Sequence, residues 1–227
     1  MTLLDLLYPK NCLECKTPGV YICNNCLKKV SEASLMCPVC QKPSIDGVTH
    51  PKCRTPLSID SQLAVWNYEG VVRKAIISLK YKFASTLIEE IASFSIVEIK
   101  KRFPFLRTTP YILIPIPTTR LRYNWRGFNQ AQEIGKMIAH KLNWKFIPDL
   151  LTKKSTKTQT GLTGKERRAN PRGAFGLNRL GIIPKDSQLL IFDDVWTTGS
   201  TVKEAAKILK RNGFLYVSGL TIAQTCR

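Results

Sequence analysis

Residues 189–201, LLIFDDVWTTGST, combine a short apolar run, two acidic residues and a loop rich in hydroxyl side chains. The run 189–192 has the length and composition of a strand buried on both faces, and helix-forming residues follow from Val202. The intervening loop therefore lies at the carboxyl end of a strand, where open α/β sheets bind their ligands. Its hydroxyls and backbone NH groups favour a phosphate dianion, and they come from Thr197, Thr198, Gly199, Ser200 and Thr201.

Asp193 and Asp194 stand directly before this loop. Carboxylates repel a phosphate, so we expect them to accept hydrogen bonds from sugar hydroxyls or to hold a divalent metal that bridges a sugar and a pyrophosphate. An ordinary helix N-terminus is the alternative, because Asp, Ser and Thr are common caps worth about 1 kcal/mol. A cap alone does not require the whole string.

The string resembles the signature of type I phosphoribosyltransferases, which bind phosphoribosyl pyrophosphate, usually with Mg²⁺. The resemblance implies that Asp193 and Asp194 contact the ribose hydroxyls and that residues 197–201 hold the sugar phosphate. Trp196 stands where the family usually has an aliphatic residue, and it could narrow the site or supply a stacking face.

The N-terminal region contains four close pairs of metal-ligand residue types. Each pair has two intervening residues, and the candidates are Cys12, Cys15, Cys23, Cys26, Cys37, Cys40, His50 and Cys53. Such pairs sit on tight turns that direct both side chains to one ion, and Zn²⁺ takes four ligands tetrahedrally. We therefore expect two structural zinc ions, although the spacing leaves the pairing open. Consecutive pairs would place the first four cysteines on one ion and the remaining four residues on the other.

Disulfides are the competing explanation for these cysteines. The chain begins MTLLDLLYPK, with no basic residue before Lys10 and no long apolar segment, so neither secretion nor membrane insertion is expected. A cytoplasmic, reducing location favours metal binding. A closed set of four ligands also favours structural zinc, since catalytic zinc keeps an open position. Cys226 has no partner in the pattern.

Positive charge is concentrated in two stretches of a chain whose formal net charge is +19. Residues 99–132 contain no acidic residue, and residues 150–185 contain Glu166 alone among nine lysines and arginines. Such stretches can neutralise several phosphates of a polynucleotide, whereas one small anion needs only a few charges. We therefore predict nucleic-acid binding. Four aromatic residues could stack on bases, although most aromatics in an α/β domain lie in the core: Trp125, Phe128, Trp144 and Trp196.

Strands alternate with helices after the cysteine pairs. Hydrophobic periodicity predicts strands over 62–68, 111–116, 144–147, 189–192 and 215–222, and helices over 71–80, 85–101, 129–142 and 200–212. This order predicts an α/β fold, a type I phosphoribosyltransferase-like parallel sheet with helices on both faces. We expect a small double zinc-ribbon module in residues 1–58 and the phosphoribosyltransferase-like domain in residues 59–227. No internal repeat is evident, and residues 153–164 are predicted to form a mobile loop.

Residues 114–135 join a predicted strand to a predicted helix. The resemblance to type I phosphoribosyltransferases assigns pyrophosphate binding to the loop at this position, which contains Pro117, Thr118, Thr119 and Arg120. Arg120, Arg122 and Arg126 could grip pyrophosphate bidentately or pair with a nucleic-acid backbone. Asn129 could cap the following helix, in which case the turn at residues 127–130 is purely structural.

Further motifs occur in the order typical of the ComF family. After the cysteine pairs come YEG at 68–70, LKY at 79–81, RGFNQA at 126–131, KTQTGLTGKERRAN at 157–170, GAF at 173–175 and DDVWTTGST. The chain therefore resembles ComF proteins, also called ComFC or GntX-like, over nearly its whole length. His50 stands where the family usually has a cysteine.

The ComF resemblance implies a double zinc ribbon joined to a phosphoribosyltransferase fold. It also implies a role in natural transformation, in which the family acts in the cytoplasm on incoming single-stranded DNA beside a ComFA-like helicase. We expect the DNA contacts to include Arg122, Arg126, Lys153 and Lys154.

Three functions remain open at this stage. The favoured one is binding of single-stranded DNA with a retained phosphoribosyl pyrophosphate site. The second is a free-standing phosphoribosyltransferase, for which no base-recognition signature identifies the acceptor. The third is an adaptor whose zinc module docks a helicase or another competence protein. A glutamine-dependent amidophosphoribosyltransferase is disfavoured, because Thr2 stands where such an enzyme has its N-terminal cysteine nucleophile.

Overall fold

A computed structural model describes residues 10–79, 85–153, 175–178 and 183–225. Seven strands lie in these ranges: β1 (Ser61–Asn67), β2 (Tyr111–Pro115), β3 (Lys145–Phe146), β4 (Leu151–Lys153), β5 (Phe175–Leu177), β6 (Gln188–Trp196) and β7 (Tyr216–Gln224). Five of them form one parallel sheet in the order β1-β7-β6-β2-β3. The strands β4 and β5 pair with each other in a separate antiparallel sheet.

Helices cover both faces of the parallel sheet. The described ranges contain α1 (Asn24–Leu27), α2 (Gly70–Ser78), α3 (Ser85–Arg102), α4 (Arg120–Arg126), α5 (Gln130–Lys141) and α6 (Ser200–Arg211). One face of the sheet packs against α2, α3 and α5 around Leu190 and Phe192. The other face packs against α6 around Leu189 and Ile191. The predicted α/β class, with a parallel sheet between two layers of helices, is confirmed.

The strand β6 is longer than predicted. It continues to Trp196 instead of ending at Phe192, because β7 runs on beside it and pairs Val195 with Ala223. Asp193 and Asp194 therefore lie within the strand and not in the loop that follows it.

The helix α4 lies in a stretch for which no helix was predicted, and it begins at Arg120, the last residue of the predicted pyrophosphate loop. Thr119 caps it, since its hydroxyl accepts a hydrogen bond from the NH of Arg122 at 3.4 Å. Gly127 ends it with a φ of 82°, a left-handed conformation that glycine adopts without steric cost. The chain then turns directly into α5.

The cysteine-bearing region packs on the edge strand β1. The NH of Ala33 donates to the carbonyl of Val65 at 3.2 Å, and the NH of Asn67 donates to the carbonyl of Ser31 at 2.9 Å. The hydrophobic cluster around α3 and β1 also contains Cys12, Ile22, Cys26 and Val30. The region thus shares a core with the sheet, and the predicted boundary after residue 58 stays a prediction.

Within the described ranges, every helix is too short or too polar to cross a membrane.

Candidate functional site

The first cysteine cluster contains Cys12, Cys15, Cys23 and Cys26, whose sulfur atoms all lie within 4.8 Å of one another. The sulfurs of Cys15 and Cys23 are 3.6 Å apart, close to the separation of about 3.8 Å that tetrahedral Zn–S bonds of about 2.3 Å produce. The hydroxyl of Thr17 lies 3.1 Å from Cys15 Sγ and lowers the pKa of this thiol to about 6. A lowered pKa favours the thiolate that binds metal.

The second cluster contains Cys37, Cys40, His50 and Cys53, whose ligand atoms also lie within 4.8 Å of one another. His50 Nδ1 is 3.3 Å from Cys40 Sγ, and His50 Nε2 is 3.0 Å from the carbonyl oxygen of Pro43. An Nε2–H that donates to this carbonyl leaves the lone pair of Nδ1 facing the cluster. His50 is therefore oriented as a metal ligand through Nδ1.

Both clusters suit structural zinc. The seven cysteines of the described ranges are free thiols, and each cluster is a closed set of four nitrogen or sulfur ligands, the donor set that Zn²⁺ prefers. The clusters also resolve the pairing that spacing left open, since consecutive pairs share one site. Cys226 lies outside the described residues.

The two clusters begin with the same turn, although no internal repeat was evident in the sequence. Residues 12–18 and 37–43 both have the pattern C-x2-C-x2-P. In each turn the carbonyl of the first cysteine accepts an NH at 2.9 Å, from Lys16 in one and from Gln41 in the other. Both donors have a positive φ, of 67° and 60°. The shared proline was the sequence signal for this repeated turn.

A cavity of about 350 Å³ lies at the carboxyl ends of β2 and β6 and brings the remaining predicted residues together. Its walls include nine of them, namely Pro117, Thr118, Arg122, Arg126, Lys153, Asp193, Asp194, Thr197 and Thr201. Five others lie in the same stretches of chain, at the starts of α4 and α6, without lining the cavity, namely Thr119, Arg120, Thr198, Gly199 and Ser200. Lys154 and most of the predicted mobile loop lie outside the described residues. We refer to this cavity as the cleft.

The acidic pair carries crowded negative charge. The NH of Asp194 donates to Asp193 Oδ1 at 2.9 Å. Burial and the neighbouring Asp194 charge raise the pKa of Asp193 well above its usual range, and Lys153 acts weakly in the opposite direction. A divalent cation would relieve this repulsion, and carboxylate oxygens are the ligands that Mg²⁺ prefers. The chemistry of the pair therefore suits a divalent cation.

The loop 197–201 is shaped by a contact between Gly199 and Trp196. Gly199 has a φ of 70°, and a Cβ on it would lie 2.1 Å from the Trp196 ring. Trp196 is only 4% exposed and belongs to the core cluster on the α6 face. The buried ring packs against Gly199 and supports the loop. Trp196 therefore neither narrows the cleft nor offers a stacking face to a ligand.

Three cationic side chains converge in the cleft. Arg122 and Arg126 reach it from α4, and Lys153 reaches it from β4. Burial lowers the pKa of Arg126 and of Lys153, and in each case the charge of Arg122 lowers it further. Asp194 opposes this effect at Arg126, as Asp193 does at Lys153. Like charges held this close together favour an anionic ligand.

The structure adds Gln130 to the residues of the cleft. Arg126 Nη1 donates to Gln130 Oε1 at 2.7 Å, whereas Gln130 Nε2 and Arg126 Nε are buried donors without a hydrogen-bond partner among the described residues. The sequence offered only its place in the RGFNQA motif. Asn129 also differs from expectation, because its side chain donates to the carbonyl of Ile116 at 3.0 Å and makes no capping hydrogen bond.

The aromatic candidates divide between surface and core. Trp144 and Trp196 are buried, at 7% and 4% exposure, and Phe128 is partly buried against the core. Trp125 is 60% exposed on α4, beside Leu121 and Tyr123, which are also exposed. Within the described ranges, Trp125 is therefore the one predicted stacking residue that is exposed to solvent, and exposed Tyr123 lies beside it on α4.

Comparison with known proteins finds relatives along most of the chain. No protein-family model matches it. The "DNA utilization protein YhgH" of Salmonella typhimurium is 28% identical over 97% of this chain and 99% of its own length. "Competence protein ComFC" of Bacillus subtilis is 25% identical over 85% of this chain and 78% of its own length. "Competence protein F" of Haemophilus influenzae is 37% identical over 46% of each chain.

Among solved structures, an adenine phosphoribosyltransferase matches 61% of this chain and 69% of its own, at 16% identity and a TM-score of 0.36. The fold class rests on the parallel sheet of this chain and not on that likeness. The protein is an α/β protein with two cysteine-rich, zinc-type clusters. With its relatives, this combination fits the ComF family, and the predicted resemblance is confirmed.

Proposed function

We propose that this protein is a ComF-type factor of DNA uptake that binds phosphoribosyl pyrophosphate with Mg²⁺ in the cleft and single-stranded DNA on the adjoining surface of α4. One observation carries the proposal. The acidic pair, two threonines of the loop 197–201 and three cations line a single cavity at the carboxyl end of the sheet. The relatives named for competence and DNA utilization support the process.

In the cleft, each group has a role suited to its chemistry. Asp193 and Asp194 would hold Mg²⁺ and the ribose hydroxyls. Thr197 and Thr201 would bind the sugar phosphate, with backbone NH groups at the start of α6. Pro117, Thr118 and the cations would face the pyrophosphate.

A calorimetric titration of the zinc-loaded protein with phosphoribosyl pyrophosphate and Mg²⁺ tests this part. Saturable binding is expected, and Asp193→Asn combined with Asp194→Asn should abolish it while zinc content stays unchanged. Asp149→Asn, which changes an exposed carboxylate, is the control and should bind as the wild type does. Equal binding by the double variant would refute the proposed site.

The proposed DNA surface combines charge and aromatic rings. Exposed Tyr123 and Trp125 lie on the same short helix as Arg120, Arg122 and Arg126, in a stretch of chain without acidic residues. Single-stranded DNA is bound by such pairing of cations with stacking platforms, and each stacked base contributes roughly 1–3 kcal/mol. The proposed setting is the cytoplasm, with a ComFA-like helicase as protein partner.

Tyr123→Ala and Trp125→Ala should each weaken binding of an oligothymidylate by about five- to fiftyfold, because a stacking platform is lost. Fluorescence anisotropy at fixed salt measures the effect. Tyr216→Ala is the matched control, since Tyr216 is similarly exposed at the opposite end of the parallel sheet. Equal losses in all three variants would contradict a DNA surface on α4.

A phosphoribosyltransferase with a small acceptor is the second candidate. Tyr68, Ile76 and Ala131 supply an apolar part of the cleft that phosphoribosyl pyrophosphate does not need. Release of pyrophosphate on addition of a nucleobase, lost in the double Asp variant, would support turnover. Binding without release under any acceptor tested would favour a sensing role.

A further inference from the structure

Three of the four residues expected to contact DNA line the cleft. Arg122, Arg126 and Lys153 line the same cavity as Asp193 and Asp194. They come from two separate elements, α4 and β4, so their convergence is a property of the fold and not of one basic run. The candidate contacts for DNA and for a phosphorylated sugar are therefore largely the same side chains.

Gln130 gives this wall a built hydrogen-bonding site. The side chain is 5% exposed, and the hydrogen bond from Arg126 to its Oε1 fixes the amide with its NH₂ group turned away from that arginine. Both Gln130 Nε2 and Arg126 Nε are buried donors without partners in the described part of the chain. A buried donor left unpaired is costly, so an acceptor oxygen from a ligand is strongly favoured here.

The chemistry of the site selects a phosphoryl oxygen. The unpaired atoms are donors only, and cationic Arg122 and Lys153 lie in the same wall. An anionic oxygen would accept from both donors and offset the repulsion between Arg122 and Arg126, which adds to burial in lowering the pKa of Arg126. A neutral carbonyl would satisfy the donors but add nothing to the partial compensation of the cations by Asp193 and Asp194.

We infer that Arg122, Arg126, Gln130 and Lys153 form one phosphoryl-oxygen site, which a pyrophosphate group and a phosphodiester of single-stranded DNA occupy in turn. The inference rests on the proposed function and deepens it. Because the two ligands need the same donors in one cavity of about 350 Å³, they compete. Phosphoribosyl pyrophosphate then acts as a release signal for DNA, and α4 holds the strand next to the site.

A displacement experiment tests the competition. A fluorescent oligothymidylate is bound to the zinc-loaded protein at constant Mg²⁺, and inorganic pyrophosphate is added. NaCl at matched ionic strength and ribose 5-phosphate are the comparison titrants. Pyrophosphate should displace the oligonucleotide at a concentration set by its own affinity, whereas NaCl and ribose 5-phosphate should displace far less. Displacement equal to that by NaCl, or an oligonucleotide that stays bound at saturating pyrophosphate, would overturn the inference.

Variants of Gln130 test the site itself. Gln130→Met keeps the length of the side chain without its donors, and Gln130→Glu keeps an acceptor for Arg126 while replacing the NH₂ by an anionic oxygen. We expect about five- to thirtyfold weaker binding of both pyrophosphate and the oligonucleotide in Gln130→Met, and a larger loss in Gln130→Glu. Gln132→Met, on the same helix but outside the cleft, should bind both ligands as the wild type does. Unchanged binding by a folded Gln130 variant would contradict the site.

The outcomes separate this inference from the function on which it rests. Wild-type protein that binds pyrophosphate and DNA competitively but does not bind phosphoribosyl pyrophosphate would refute the proposed function and leave the shared site intact. Protein that binds phosphoribosyl pyrophosphate and DNA simultaneously would refute the shared site alone. Binding of neither pyrophosphate nor DNA would refute both.

Discussion

The cysteine clusters and the cleft differ in how completely their polar groups are satisfied. Each cluster draws its ligands from one short segment, residues 12–26 or 37–53, and every ligand atom faces the other three within 4.8 Å. The cleft draws side chains from as far apart as Tyr68 and Thr201, and it contains crowded like charges and two unpaired donors. The clusters are closed ligand sets suited to stabilising the fold, whereas the cleft is suited to reversible binding of a ligand.

Removing a cluster ligand should give the largest effect. Cys26→Ser leaves an incomplete metal site next to the core that β1 and α3 share, where Cys12 and Cys26 are both buried. Metal binding contributes directly to folding energy in such sites. We expect loss of one of two zinc ions per chain and a fall in melting temperature of about 10 °C or more, measured by metal analysis and calorimetry.

A substitution in the second cluster tests whether the two clusters contribute equally to stability. Cys37 is fully buried but belongs to neither described core cluster. Cys37→Ser should therefore also remove one zinc ion but lower the melting temperature less than Cys26→Ser does. Cys226→Ser, outside the ligand pattern, should change neither quantity. A larger thermal effect for Cys37→Ser would contradict the view that the first cluster is part of the main core.

The loop at the cleft should tolerate substitution poorly at one glycine. Gly199→Ala forces a side chain onto a residue at φ 70° and drives a Cβ into the Trp196 ring. We expect a loss of about 2–4 kcal/mol in unfolding free energy, from strain and overpacking together. Urea unfolding monitored by tryptophan fluorescence measures it.

Gly213→Ala provides the matched control for this substitution. Gly213 has a φ of 87°, but the nearest atom to its Cβ would be 3.8 Å away, so only the backbone strain of about 1 kcal/mol is expected. Equal losses at both glycines would mean that the contact with Trp196 contributes nothing.

Substitution of Asp193 should give the smallest change in stability, and it should raise stability instead of lowering it. Because burial and Asp194 raise the pKa of Asp193, the folded ligand-free protein retains a proton that the unfolded chain has released, at pH values between the ordinary and the raised pKa. Stability therefore falls as the pH rises from the ordinary aspartate value of about 3.9 through the raised value. Asp193→Asn should remove this loss and make the ligand-free protein about 1 kcal/mol more stable at pH 8.

Urea unfolding at pH 5 and pH 8 without Mg²⁺ checks this prediction. Asp149→Asn should keep the pH dependence of the wild type, because Asp149 is exposed. An Asp193→Asn variant that loses stability at pH 8 would mean that the carboxylate is already compensated in the ligand-free cleft. The comparison of closed clusters with an incomplete cleft would then fail.

The regular elements followed from sequence where an apolar face repeats or an apolar run is long enough to be read. The helices α3 and α5 and the strands β1 and β2 lie within one or two residues of their predicted positions. The helices display an apolar face with a helical period, whereas β1 and β2 are buried on both faces and display apolar runs instead. The helix α4 could not be predicted in this way. Leu121, Tyr123 and Trp125 are all exposed, so the helix has no apolar stripe. The β4–β5 pair could not be predicted either, because strands of three residues are too short to show a period.

Gln130 is a residue of the candidate site that could not be predicted from the sequence. At the start of a helix a glutamine is unremarkable, and only packing removes its amide from water and leaves one donor unpaired. Trp196 shows the converse, because its position beside the loop suggested a ligand contact, whereas the fold buries it under Gly199.

The amino-acid sequence alone displays the chemistry available to this protein: eight zinc-type ligands in close pairs and an acidic pair followed by a hydroxyl-rich loop. These features were legible because residue type and short spacing carry them. Only the tertiary structure decided which pairs share a cluster and that Arg122, Arg126 and Lys153 meet Asp193 in one cleft. The physical reason is that such meetings depend on sheet order and on the packing of α4 and β4, which join residues far apart in the chain.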